Sequence, residues 1–402
     1  MNFKSYKAVS LLIIFLIIFT SCGSSSSKES KTKQDLSTPG AIKDAPKSLI
    51  DFYEKQVDVS KMSAGDIIYS QPLTGLDEKV NGWRVLYVTT ALNGSLTPTS
   101  ALVYEPRDNK KHNVVVWAHG TLGMADECAP SRDNAEFERI SYMKDYLDDG
   151  NAIIAPDYEG FGTPGVHPFL VGNSEGRSVL DSIRMAQKFD PISPKPGSVI
   201  IGHSQGGQAA LFAGQLRSSY APDANVAGIV AIAPAGELKS LFNTASKSGS
   251  TLGLVVMAAV GYQSAYSDLD LTTVLTPSAI EKSSIIETGC LTSVANAYKD
   301  DVKTTFAGDP TTLEPWASYL DLNSPGKEKI DAPLYIVHGL ADLTVPSFVS
   351  QRIFESSCTL GTLGKRVTYA GADHTSVLEK GFKSITEFTE QRFEDKKFNS
   401  EC

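Results

Sequence analysis

Gly202-His203-Ser204-Gln205-Gly206, followed by Gly207, lies between the apolar run Val199-Ile200-Ile201 and a helix-like stretch that begins near Gln205. A G-x-S-x-G pentad framed by strand and helix is a nucleophile elbow, a strained turn that projects the serine hydroxyl, here that of Ser204, into a site. The helix start adds positive potential where negative charge develops. A serine hydroxyl attacks poorly until a base takes its proton and a third group holds the base. The chain has six histidines, so the base can be found by elimination. His112 sits in a charged stretch and is expected at the surface. His119 belongs to a turn after an apolar run, and His203, inside the elbow, is expected to point away from the base position. His167 lies in a Pro/Gly loop and His338 at a strand end. His374 remains, in Ala372-Asp373-His374-Thr375 between the last apolar run and the last helix-like segment.

The acid should follow the preceding strand, where Gly339-Leu340-Ala341-Asp342-Leu343-Thr344-Val345-Pro346 offers Asp342 to His374 Nδ1–H. Asp373 competes only by adjacency, and Asp331 lies at the wrong end of that strand. The tetrahedral oxyanion of acyl transfer needs preorganised N–H donors. The backbone N–H of Gln205 is one candidate. The other comes from His119-Gly120-Thr121-Leu122-Gly123, and within that loop Thr121 is selected.

Elements must hold these groups. Segments 83–90 and 98–105 alternate apolar and polar residues around Asn93-Gly94, a hairpin signal. Runs at 114–118, 152–156, 198–202, 226–233, 334–338 and 366–370 are rich in Val, Ile and Ala, as strands buried on both faces are. Helix-like stretches at 136–148, 176–188, 205–218, 347–356 and 375–393 follow them. Eight strands, antiparallel first and then alternating with helices, form the layout of the α/β-hydrolase fold, and the chain order Ser, Asp, His is that fold's order. About a hundred residues between Pro234 and Ala332 break the rhythm, with helical, partly apolar segments at 252–260 and 277–286. A structureless loop of that length is implausible. An inserted helical cap at 236–330 is expected over the strand ends where ligands bind. The core then comprises 46–235 and 331–402, and 252–260 could line an acyl channel or simply pack on the sheet.

The 402 residues carry 37 basic and 46 acidic side chains, a net charge of −9, which argues against a nucleic-acid partner. At the N-terminus, Lys4 and Lys7 precede the apolar run 9–19 and Thr20-Ser21-Cys22, the pattern of an export signal over 1–21. Phe-Thr-Ser-Cys resembles a lipobox with Cys22 as the lipidated residue. The Ser-rich stretch that follows cannot bury a core, so 22–45 reads as a flexible tether to an extracytoplasmic membrane anchor, at the outer membrane or cell surface; the alternatives are an ordinary signal peptide with a secreted product, or an uncleaved anchor. Cys128, Cys290, Cys358 and Cys402 remain, enough for two disulfides in three possible connectivities; none has the spacing of a zinc site.

Three segments then carry a family resemblance: Ala155-Pro156-Asp157-Tyr158-Glu159-Gly160-Phe161-Gly162-Thr163-Pro164-Gly165, His167-Pro168-Phe169-Leu170-Val171-Gly172 and Gly176-Arg177-Ser178-Val179-Leu180-Asp181. With Tyr220-Ala221-Pro222-Asp223 and Ala233-Pro234-Ala235, they make residues 45–400 resemble the secretory lipases, extracellular enzymes of yeasts such as Candida with bacterial relatives. The resemblance implies hydrolysis of triacylglycerols or other esters, a helical cap between the sixth and seventh strands, and no metal or organic cofactor. It also implies the disulfides Cys128–Cys290 and Cys358–Cys402, and a structural role beside the site for Asp157 and Tyr158. The expected partners are a lipid or other ester substrate and, through Cys22, a membrane; a monomer is the expected state. The alternatives are another acyl enzyme on the same triad (peptidase, acyltransferase or phenolic-ester esterase) and a binding lipoprotein without chemistry.

Overall fold

The computed structural model describes residues 43–108, 110–132, 143–192 and 194–402. Cys22, the export signal, nearly all of the tether and the first half of the predicted helix 136–148 lie outside the described residues. Among the described residues no helix is long and apolar enough to cross a membrane.

Among the described residues ten strands form one sheet: β1 (Lys43–Asp44), β2 (Ile67–Pro72), β3 (Val80–Thr90), β4 (Leu96–Pro106), β5 (His112–Ala118), β6 (Asn151–Pro156), β7 (Pro194–His203), β8 (Val226–Ile232), β9 (Leu334–Gly339) and β10 (Gly364–Tyr369). Their spatial order is β1-β2-β3-β4-β6-β5-β7-β8-β9-β10. The β2/β3, β3/β4 and β4/β6 pairs are antiparallel, and every pair from β6 to β10 is parallel. All eight predicted strands are present. Two further strands extend the sheet beyond β3, β2 antiparallel to β3 and β1 parallel to β2. This is the α/β-hydrolase fold.

Period-2 alternation sends neighbouring side chains to opposite faces. Val116 and Ile200 join Val179, Leu180 and Ala209 on one side, from helices Gly172–Lys188 and Gln205–Tyr220. Val115 and Val199 join Tyr146, Leu147, Ile385 and Phe388 on the other, from helices Met143–Asp148 and Ser376–Phe393. Both faces of the parallel strands are therefore buried, which their unbroken apolar sequences require.

Between β8 and β9 the chain forms helices Leu238–Ala245, Gly249–Ala265, Pro277–Lys282, Ile285–Thr288, Leu291–Tyr298 and Trp316–Leu322. The predicted helix 277–286 is two short helices, interrupted at Ser283 and Ser284. Helix Gly249–Ala265 crosses Leu291–Tyr298 closely, since a Cβ on Gly253 would lie 3.2 Å from Ala295 Cα. Its Tyr262 hydroxyl donates to Leu170 O at 3.3 Å. Cys128 bonds to Cys290 and Cys358 to Cys402.

Candidate active site

At the end of β7 the backbone turns through Ser204 with φ 59° and ψ −118°, a left-side conformation that costs an L-residue about 1–3 kcal/mol. Close packing enforces it. A Cβ on Gly202 would lie 1.9 Å from Gly206 O, and one on Gly206 would lie 1.9 Å from Ala118 O. Neither position admits any other residue without moving backbone.

His374 lies in the turn between β10 and helix Ser376–Phe393. Its Nδ1 is 2.6 Å from Asp342 Oδ2 and its Nε2 is 2.9 Å from Ser204 Oγ. A carboxylate oxygen accepts, so Nδ1 carries the proton and the Nε2 lone pair faces the serine hydroxyl. Asp342 Oδ1 accepts from the N–H groups of Thr344 and Val345 at 2.8 and 2.9 Å. Burial alone would raise this carboxyl. Hydrogen bonds from His338 and His374, then from Val345, outweigh burial and hold it well below the usual carboxylate range. Asp373 instead caps the following helix through Thr375 N, Ser376 N and Ser376 Oγ. Ser204, Asp342 and His374 are thus brought together; Asp373 takes no part.

Thr121 and Gln205 line the same cavity as Ser204. Gln205 is the first residue of its helix, where an N–H has no partner within the helix. The loop carrying Thr121 is braced from two sides. Tyr158 Oη donates to His119 O at 2.8 Å, and Leu291 N donates to Leu122 O at 2.8 Å beside the Cys128–Cys290 disulfide. Asp157 lies underneath, accepting from Ser100 Oγ at 2.6 Å and from Ser131 Oγ; burial pushes it up to about 7.

Four residues close to the site were not assigned to it from sequence. His338 Nε2–H is shared between Val345 O at 2.8 Å and Asp342 Oδ2 at 3.3 Å. His203, expected to point away from the base, lies against it: its Nε2 is 2.8 Å from His374 O and the ring centroids are 4.7 Å apart. Glu175 and His167 share the Gln205 side chain, whose amide reaches Glu175 Oε1 at 2.8 Å and His167 Nε2 at 3.0 Å. Burial raises Glu175 to about 8 and lowers His167 to about 3, so both are neutral at pH 7. Nothing in their sequence contexts points to Gln205, which lies 30 positions from Glu175 and 38 from His167. His112 also departs from its expected place at the surface. It is buried, with Nδ1 2.9 Å from Gly150 O, despite the lysines before it.

The cavity measures about 440 Å³ with its solvent-open part. Phe169, Leu170, Ala235 and Val345 form one part of its wall; Leu241, Phe242, Ala245, Thr251, Leu254 and Val255, from the helices after β8, form the other. A serine with an aligned base beside such a wall can open an ester whose acyl part is apolar. Among the described residues, no group of three or more His, Cys, Asp or Glu side chains is placed to hold a metal ion.

A family model described as secretory lipase matches residues 136–400. The secreted triacylglycerol lipase LIP7 of Malassezia globosa is 27% identical over 383 residues, covering 87% of this chain and 80% of its own. LIP4 of Malassezia furfur, another secreted triacylglycerol lipase, is 25% identical over 375 residues, 86% of this chain and 70% of its own. Among solved structures, Candida antarctica lipase A in its closed state superposes with a TM-score of 0.75 at 20% identity, covering 86% of each chain. A rice cell wall degrading esterase, LipA from Xanthomonas oryzae, superposes with 0.71 at 18% identity, covering 83% of this chain and all of that one.

Proposed function

From the premise that the chain belongs to the secretory lipase family and is a carboxylic-ester hydrolase, we propose that Ser204, His374 and Asp342 are its catalytic triad and that it acts on hydrophobic esters, triacylglycerols included. His374 Nε2 takes the Ser204 proton as Oγ attacks the ester carbonyl. The oxyanion rests on the backbone N–H groups of Gln205 and Thr121. His374 then protonates the leaving alcohol, and an acyl-enzyme remains. Water, deprotonated by the same nitrogen, attacks it and releases the acid. Asp342 fixes the Nδ1–H tautomer and stabilises the imidazolium without taking its proton.

The observation that carries this reading is the hydrogen-bonded line Asp342–His374–Ser204, 2.6 and 2.9 Å, opening onto an apolar wall. Segment 236–330 acts in this reading as a cap, with Leu254 and Val255 beside the acyl chain. Two disulfides fit an oxidising compartment outside the cytoplasm, as do relatives described as secreted. Within that compartment the chain is held to a membrane through lipidated Cys22. Cys22→Ala should release the enzyme to the medium, and an acyl-modified N-terminal peptide should be absent from it.

The function itself is tested by hydrolysis of p-nitrophenyl esters from acetate to palmitate, comparing the wild-type protein with Ser204→Ala. Activity abolished in the variant, with an optimum at longer chains, is the expected result. A folded wild-type protein inactive on every chain length would overturn the substrate assignment, and an active Ser204→Ala would overturn the triad.

A further inference from the structure

His374 must hold its aim through two opposite proton transfers, as neutral base and as imidazolium. A ring displacement of about 1 Å at such a step can cost on the order of 10²-fold in rate. Asp342 fixes the ring at Nδ1, but the ring also turns with the main chain of its loop. One side chain grips that main chain at His374 itself: His203 Nε2, 2.8 Å from the His374 carbonyl oxygen.

A carbonyl only accepts, so Nε2 of His203 carries the hydrogen and Nδ1 its lone pair. Removal of water from the ring, then the neighbouring His374, push the imidazole down to about 3, so this tautomer persists over the whole working range. The ring stands tilted against that of His374, with centroids 4.7 Å apart. The backbone of the Thr121 loop comes close to His203 as well. A Cβ on Gly120 would be 3.3 Å from His203 O and 3.4 Å from His203 Nδ1. Since His203 is also bonded covalently to Ser204, one residue meets the nucleophile, the base and the loop proposed to hold the oxyanion.

We propose that His203 is a positioning residue for the reaction: its Nε2–H tethers the His374 main chain to the nucleophile elbow and keeps His374 Nε2 on line with Ser204 Oγ. This rests on the triad assigned above. Other bonds shape the same loop without His203. Ala341 N donates to Ala372 O at 2.8 Å, and Asp373 N is 2.9 Å from Ser376 Oγ. The loop therefore folds without the tether but loses its aim.

The test compares His203→Phe, which keeps a ring and loses the donor, with His203→Gln, whose side-chain amide can place an N–H near the same point. Steady-state kinetics on one soluble p-nitrophenyl ester and thermal midpoints would be measured for both, with Ser204→Ala alongside. The expected result is a fall in kcat of about 10- to 100-fold in His203→Phe with KM within about twofold, and recovery to within about threefold of wild type in His203→Gln. If His203→Phe does not fold, His203→Met, unbranched and without a donor, takes its place. Wild-type kcat in the donor-free variant overturns the proposal. So does a loss in His203→Gln equal to that in His203→Phe, or a change confined to KM. A Ser204→Ala variant that keeps a rate near the wild-type one would refute the triad instead, so the two failures are distinguishable.

Discussion

Glu175 has no place in the acyl-transfer steps, yet it should leave a large mark on how stability depends on pH. Its carboxyl is fully buried. Oε1 accepts from Leu170 N at 2.9 Å and from the Gln205 amide, while Oε2 has no hydrogen-bond partner. Burial raises the group from 4.5 to about 8, and the two hydrogen bonds offset only part of that. A carboxyl whose folded-state pKa is raised stabilises the native state below its unfolded pKa. That contribution is lost as pH rises towards the folded value. Between pH 5 and pH 8 the difference integrates to about 3 kcal/mol of lost stability from this one group. Glu175→Gln keeps the shape and the acceptor oxygen but has no proton to lose. Urea denaturation of both proteins at pH 5 and pH 8, disulfides intact, isolates the term, because every other titrating group cancels in the comparison. Wild type should lose about 3 kcal/mol more than Glu175→Gln over that interval. Parallel pH dependences would show that Glu175 ionises in the folded state as easily as in the unfolded one, and the argument from burial would fail.

Asp342→Asn should reduce kcat by about 10³- to 10⁴-fold with little change in KM, because an amide N–H facing His374 selects the wrong tautomer; p-nitrophenyl ester kinetics on the folded variant check it, and a loss under tenfold would count against Asp342 as the acid. The double substitution Cys128→Ser with Cys290→Ser removes the covalent link between the segment that follows the Thr121 loop and the start of helix Leu291–Tyr298, leaving that loop held there only by the Leu291 N–Leu122 O hydrogen bond. Denaturant midpoints should show a loss of about 2–4 kcal/mol together with reduced kcat, whereas Cys358→Ser with Cys402→Ser should lower stability and leave kcat unchanged. Leu343, 89% exposed between Asp342 and Thr344, has no packing to lose. Leu343→Ser should keep the thermal midpoint and the rate on soluble p-nitrophenyl acetate while lowering the rate on emulsified triacylglycerol, and equal loss on both substrates would exclude a role at a lipid surface.

The parts of this molecule that could be read from sequence are those written in short-range pattern. Ser204 announces itself because the elbow's steric demand falls on residues two places away on either side, Gly202 and Gly206, where a Cβ would come within 1.9 Å of backbone oxygen. The parallel strands announce themselves because burial on both faces leaves no polar position, as in Val114-Val115-Val116 and Val199-Ile200-Ile201. β2 escapes because only Ile67, Ile68 and Tyr69 of its six residues are buried, and β1 because it has two residues. The histidines expose the limit of such reading. His112 follows Lys110 and Lys111 yet is buried at the start of the central strand β5, against Gly150 O, and the sequence neighbourhood describes the lysines, not the ring. His203 reaches across 171 positions to His374 O, and Gln205 across 30 and 38 positions to Glu175 and His167. A buried polar group takes whatever partner the tertiary fold sets beside it, and leaving it unpaired costs about 1–3 kcal/mol. Its role is therefore fixed only once the chain has closed. Chemistry that depends on a turn can be read from the turn; chemistry that depends on who lies beneath the turn cannot. That is why three residues carrying the proposed reaction stand in the sequence, while the side chains packed against them, His203, His338 and Glu175 among them, emerge only from the packing.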